Sequence, residues 1–223
     1  MFFPIGDDQV KGGHFPILSY AFIVLNILVF IQQIRHPDML VSLYGSIPVE
    51  TLNGENLITL FTSMFLHGSI MHLLGNMLFL WVFADNIEAT IGSGRFLFFY
   101  LLGGLAAHAT HIYFNPASVV PTIGASGAIS AVMGAYLVMF PSSRVKIWFF
   151  FFVFRVPAIL FLGFWIFMQW SNGTAALETV NANTGGTAWW AHIGGFAFGI
   201  IAGLYFRFQY PPPREEVAYD YYR

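Results

Sequence analysis

The chain has 223 residues, 57% of them apolar and only 9% charged, with a formal charge of −2 and a mean hydropathy of +0.67. Soluble domains carry about 25% charged residues, so a water-exposed globule is excluded; with no Cys, so are disulfides, thiolate metal sites and a cysteine nucleophile. Twenty-six Phe and six Trp suit a lipid-facing surface, and without a basic tract nucleic acid is not an expected partner.

Stretches of about 20 mostly apolar residues are candidate membrane spans, and six follow one another. The first covers Phe15–Gln33, and the second, Leu73–Ile87, is preceded by Gly68-Ser-Ile-Met-His72. The third is Phe96–Phe114, and the fourth runs from Ser126 to about Phe140. The fifth is Val156–Trp170, with the aromatic run Trp148–Phe154 a candidate for its start, and the sixth is Thr187–Phe208. The expected fold is an all-α integral membrane protein, a six-transmembrane-helix bundle over residues 15–208 between tails at 1–14 and 209–223. Pro211–Pro213 is expected to stop the last helix, and the polar stretch Asn172–Gly186 reads as a loop. Between the first two spans, Leu57, Ile58, Leu60, Phe61, Met64 and Phe65 form a helical stripe that predicts a short amphipathic helix in the outer interface. No secretory signal peptide is expected, because the first apolar run lacks a small-residue cleavage site.

An even number of spans places both termini on one side. Lys11, Arg95, Arg144, Lys146, Arg207, Arg214 and Arg223 fall there, with Arg155 if Phe149–Phe152 is interfacial, and only Arg35 falls opposite. The excess of positive charge predicts cytoplasmic termini, in a multi-pass protein of the cell (plasma or inner) membrane.

Reactive side chains stand inside these spans. An imidazole in lipid is costly unless paired, so His192 marks a functional hypothesis. Ser126, Ser130 and Gly134 recur every four residues on the fourth span, and Gly195, Gly199 and Gly203 on the sixth. Such stripes let helices approach closely, which would make Ser126 and His192 neighbours in the outer half of the bilayer. Gly124 and Gly127 allow a tight turn at Ser126, and a helix N-terminus favours developing negative charge. A serine hydroxyl needs a base before it attacks, and His is the usual one. His72 and Asn76 share a face of the second span at the same level and offer donors to an oxyanion. No carboxylate joins them, so a Ser-His dyad is the economical reading. The plainer alternatives are a helix cap at Ser126, packing glycines, and interhelical hydrogen bonds from His72 and Asn76.

Gly124-Ala-Ser-Gly127, Ala191-His-Ile-Gly-Gly195 with Gly199, and His67…His72…Asn76 resemble the motif set of rhomboid intramembrane serine proteases, as does the turn Glu88-Ala-Thr-Ile-Gly-Ser-Gly-Arg95. The resemblance covers Tyr44 to Leu204. It implies a six-helix core, Ser126 as nucleophile and His192 as general base. It further implies an oxyanion site from Asn76, His72 and the Ser126 N–H, and cleavage of transmembrane substrates near the outer interface. The expected partners are those substrates and the lipid bilayer, with no cofactor and no metal. Two features depart from the pattern: Ser130 stands where some members have Tyr, and no Trp precedes Trp81, so the frequent Trp-Arg pair of the first outer loop is missing. The rival functions are a catalytically inactive rhomboid-like binder of membrane proteins, and a b-type haem protein ligated through His72, His108, His111 or His192. A zinc protease is disfavoured because no His-Glu-x-x-His occurs.

Overall fold

The computed structural model describes residues 3–8, 13–178 and 188–210. Thr187, the helix stop at Pro211–Pro213, residues 179–186 of the expected loop, and Lys11, Arg214 and Arg223 lie outside the described residues.

A short strand β1 (Phe3–Gly6) precedes α1 (Ile17–Gln33). The long connection that follows holds α2 (Pro37–Tyr44), α3 (Pro48–Leu52) and α4 (Thr59–Thr62), the last continued by a 3₁₀ turn over Ser63–Phe65. Next come α5 (Ile70–Ile91), α6 (Ser93–Phe114) and α7 (Ser126–Met139), then β2 (Arg144–Phe149), β3 (Phe152–Pro157), α8 (Ala158–Glu178) and α9 (Trp189–Gln209). Among the described residues, α5, α6 and α9 are long and apolar enough to cross a membrane, and α1 and α7 are apolar but shorter.

Three features differ from the sequence expectation. The stripe from Leu57 to Phe65 forms only the short α4 and its 3₁₀ turn, with α2 and α3 before it. The aromatic run Trp148–Phe154 does not begin a span: it belongs to an antiparallel hairpin in which Lys146 pairs Arg155 and Phe149 pairs Phe152, and β1 adds to its other edge. Finally, Asn172 to Glu178 is helical, because α8 runs on past its polar residues; Thr174 returns its hydroxyl to the Trp170 carbonyl at 3.1 Å.

Helix α7 is the buried axis, with Ala128, Ala131, Val132, Ala135 and Tyr136 almost wholly covered. Its small residues let α9 lie against it backbone to backbone. A Cβ placed on Gly195 would stand 2.2 Å from the Gly127 carbonyl oxygen, and one on Gly134 would stand 2.1 Å from that of Phe196. At the end of α7 away from Ser126, Tyr136 Oη and Asn86 Nδ2 donate to the Asp7 carboxylate. This ties the segment after β1 to the bundle.

Buried Glu88 fastens α1 to α5. Its carboxylate accepts the backbone N–H groups of Leu18 at 2.9 Å and Ser19 at 2.7 Å, together with the hydroxyls of Ser19 and Ser93. Leu18 and Ser19 lie in the first turn of α1, whose N–H groups have no partner within the helix and whose dipole favours a negative charge. Glu88→Ala should therefore cost about 3 kcal/mol, read as a lowered melting temperature in detergent, with Glu88→Gln intermediate. Equal melting of all three proteins would refute this lock.

Candidate active site

Ser126 is the first residue of α7, so its N–H is among those a helix leaves unpaired. The chain reaches it through Gly124, whose φ of +125° is a conformation that side-chain-bearing residues rarely adopt. A Cβ there would also stand 2.8 Å from His72 Nε2, so glycine is required twice over. The Gly124 N–H donates to the Ser63 carbonyl at 2.9 Å, which pins the turn.

His192 enters from the first turn of α9. Its Nε2 is 2.8 Å from Ser126 Oγ, and its Nδ1 is 2.7 Å from Gln169 Oε1 on α8. His192 and Gln169 are buried, whereas Ser126 is half-buried. The Gly195 and Gly199 contacts with α7 set this distance by bringing the two backbones together. Around the imidazole stand the rings of Trp165, with centroids 5.8 Å apart, and of Trp189, edge-on at 6.4 Å.

On the far side of Gly124, α5 begins under a Ser69 cap, whose hydroxyl accepts the His72 N–H at 3.1 Å. His72 Nδ1 accepts the Gly68 N–H at 3.3 Å, which leaves the ring proton on Nε2, facing Gly124. Asn76 Nδ2 is buried and has no hydrogen-bond partner among the described residues, and it would lie 3.7 Å from a Cβ on Gly124. A buried donor without an acceptor is costly, and one explanation for such a group is a catalytic role. His67, in the connection before α5, is pushed down to about 4, first by burial and then by His72, with the Phe65 carbonyl opposing. Gln33 clamps that connection from α1, donating to the His67 carbonyl at 2.8 Å and accepting its N–H at 2.9 Å.

Ser126, His192, Asn76 and His72 thus gather around one turn. Ser130 takes no part in it: its hydroxyl donates to the Ser126 carbonyl at 2.6 Å, and His192 is supported from α8 instead. Two of the four histidines considered as haem ligands have other engagements. Both His192 ring nitrogens are hydrogen-bonded, and His108 Nε2 faces Ser63 Oγ at 3.1 Å. Gln169 is the residue that sequence reasoning missed. The signal was an amide directly after the apolar Phe161–Met168 stretch, where any buried polar group needs a partner.

The family model for the Rhomboid domain matches residues 54–209. The chain is 28% identical over 193 residues to Rhomboid protein 1, mitochondrial, of Saccharomyces cerevisiae (strain ATCC 204508 / S288c), covering 84% of this chain and 53% of that protein. It is 36% identical over 141 residues to Rhomboid protease GluP of Bacillus subtilis (strain 168), covering 58% and 26%. With Presenilin-associated rhomboid-like protein A, mitochondrial, of Danio rerio it shares 31% identity over 147 residues, covering 62% and 34%. The chain therefore spans about half or less of the length of these relatives. Two of the three are mitochondrial by name, which overturns the expected cell (plasma or inner) membrane with cytoplasmic termini. Counting Lys and Arg orders the two faces of a bundle, but it carries no information on which membrane holds it.

Proposed function

The chain belongs to the rhomboid family, and on that premise we propose that it is a serine endopeptidase that cleaves transmembrane helices of membrane-protein substrates. The observation that carries this reading is the 2.8 Å contact between Ser126 Oγ and His192 Nε2. His192 takes the hydroxyl proton as Ser126 Oγ bonds to the scissile carbonyl carbon, whose oxygen becomes an oxyanion. Asn76 Nδ2, His72 Nε2 and the Ser126 N–H supply donors to that oxyanion. Its collapse breaks the C–N bond, and His192 protonates the departing amine. Water, deprotonated by His192 in turn, then releases the acid product and restores Ser126.

The length of α7 bears on where the bond is cut. Its 14 residues rise about 21 Å, short of a hydrocarbon core of ~30 Å. With the C-terminal end of α7 near one face, Ser126 lies beneath the other, inside the membrane. A substrate helix must unwind there, since a helical peptide bond is shielded by its own turn. Substrates with small, helix-breaking residues near that face fit best. The mitochondrial names of two relatives support a mitochondrial membrane as the setting.

The test is cleavage of a model single-pass substrate in liposomes by wild type and by Ser126→Ala, with a fluorophosphonate probe to label the serine. Cleavage and labelling by wild type alone support the reading; a wild type that binds the substrate without cutting it would mark an inactive binder. Asn76→Ala should lower kcat by about 10²- to 10³-fold and leave KM nearly unchanged, as for loss of one oxyanion donor. Wild-type kcat in that variant would remove Asn76 from the oxyanion site.

A further inference from the structure

We propose that Gln169 is the positioning residue for His192, holding the imidazole in the tautomer that proton transfer from Ser126 requires. The inference rests on the serine-protease reading above. For Nε2 to accept the Ser126 proton, the ring's own proton must sit on Nδ1, and some group must accept it there. Gln169 Oε1 stands 2.7 Å from that nitrogen.

The amide orientation and the tautomer are one choice. Were the Gln169 NH₂ group turned toward Nδ1, the ring proton would move to Nε2 and point at Ser126, leaving no base. The acceptor orientation is the one in which both hydrogen bonds of His192 are compatible with attack.

Two of the groups that support the ring come from one helix. Trp165 and Gln169 are four residues apart, so they share a face of α8; the first flanks the imidazole at 5.8 Å and the second bonds its edge. Gln169 is 7% exposed, and a buried amide is costly unless hydrogen-bonded. On α7, the Ser130 hydroxyl is turned to the Ser126 carbonyl and not to the ring. Gln169 thus does for the imidazole what a buried carboxylate does in a triad, without bringing a charge into the membrane.

The test compares wild type, Gln169→Leu, Gln169→Glu and Ser126→Ala in bilayers, by substrate cleavage and by the ¹⁵N spectrum of labelled histidine rings. The His192 signals are assigned by difference from His192→Ala. Gln169→Leu should lower kcat by about 10- to 100-fold with KM unchanged, and its His192 signals should report mixed tautomers in place of the single Nδ1–H form. Gln169→Glu keeps the acceptor and should recover most of the rate. A Gln169→Leu protein with wild-type kcat and a single tautomer overturns the proposal, and so does an equal loss in the Leu and Glu variants, which would indicate packing alone. Cleavage by Ser126→Ala would bring down the serine reading and the Gln169 role with it, whereas a dead Ser126→Ala beside an unimpaired Gln169→Leu removes only the latter.

Discussion

Replacing Ser126 or His192 by Ala should reduce cleavage of a reconstituted substrate by about 10⁴-fold or more. The two groups act as one unit: Ser126 Oγ attacks only as His192 Nε2 takes its proton, across the 2.8 Å that separates them. The double variant should consequently be no slower than the worse single variant, since nothing is left for the second substitution to remove. Independent, multiplying losses would mean that the two side chains serve separate purposes. Neither change should unfold the bundle, because a hydrogen bond between membrane helices is worth only about 1 kcal/mol. Melting temperatures in detergent close to wild type would show that the loss is one of chemistry.

The pairing of Ser126 with His192 was legible in the sequence because lipid penalises an unpaired polar group, so each polar position in a span demands a partner. The small-residue stripes supplied the geometry, since only glycine lets α9 reach the Gly127 and Ala131 carbonyls. Gln169 obeys the same rule but stands one residue from the end of the expected span Val156–Trp170, where a polar side chain reads as facing water. The role of Glu88 was hidden for another reason. Its partners Leu18 and Ser19 lie 70 and 69 residues away, and no local pattern couples a carboxylate to the distant start of another helix. Strands β2 and β3 were obscured by composition: the Trp148–Phe154 run is as apolar as a span, and only pairing across the Phe150–Phe151 turn makes it a hairpin. The end of α8 shows the converse. Asn172, Gly173 and Thr174 favour a loop, yet Gly173 faces α9 so closely that a Cβ on it would stand 3.4 Å from Ile193 and Trp189 and 3.5 Å from Trp190, and packing overrides propensity.

Gly199→Ala is expected to be the most damaging single-methyl change in the bundle. Its Cβ would stand 2.0 Å from the Ala131 carbonyl oxygen and 2.8 Å from the Ala131 Cα. The obstacle is helix backbone, which cannot rotate aside as a side chain can, so α9 must move away from α7. Overpacking of this kind costs about 1–3 kcal/mol and occasionally more. Because Gly199 lies seven residues beyond His192 on the same helix, about 10 Å along its axis, a shift of α9 lengthens the Ser126–His192 contact too. Activity should therefore fall even in the fraction that remains folded, and Gly199→Leu should fail to accumulate at all. Gly163→Ala in α8 is the matched control, since a Cβ there meets nothing within 4 Å and helix propensity then favours Ala by about 1 kcal/mol. Melting curves and cleavage rates of the two Ala variants should move in opposite directions from wild type or leave Gly163→Ala unchanged. A Gly199→Ala protein as stable and active as wild type would mean that α7 and α9 do not touch backbone to backbone, and the distance on which the proposed chemistry depends would need another cause.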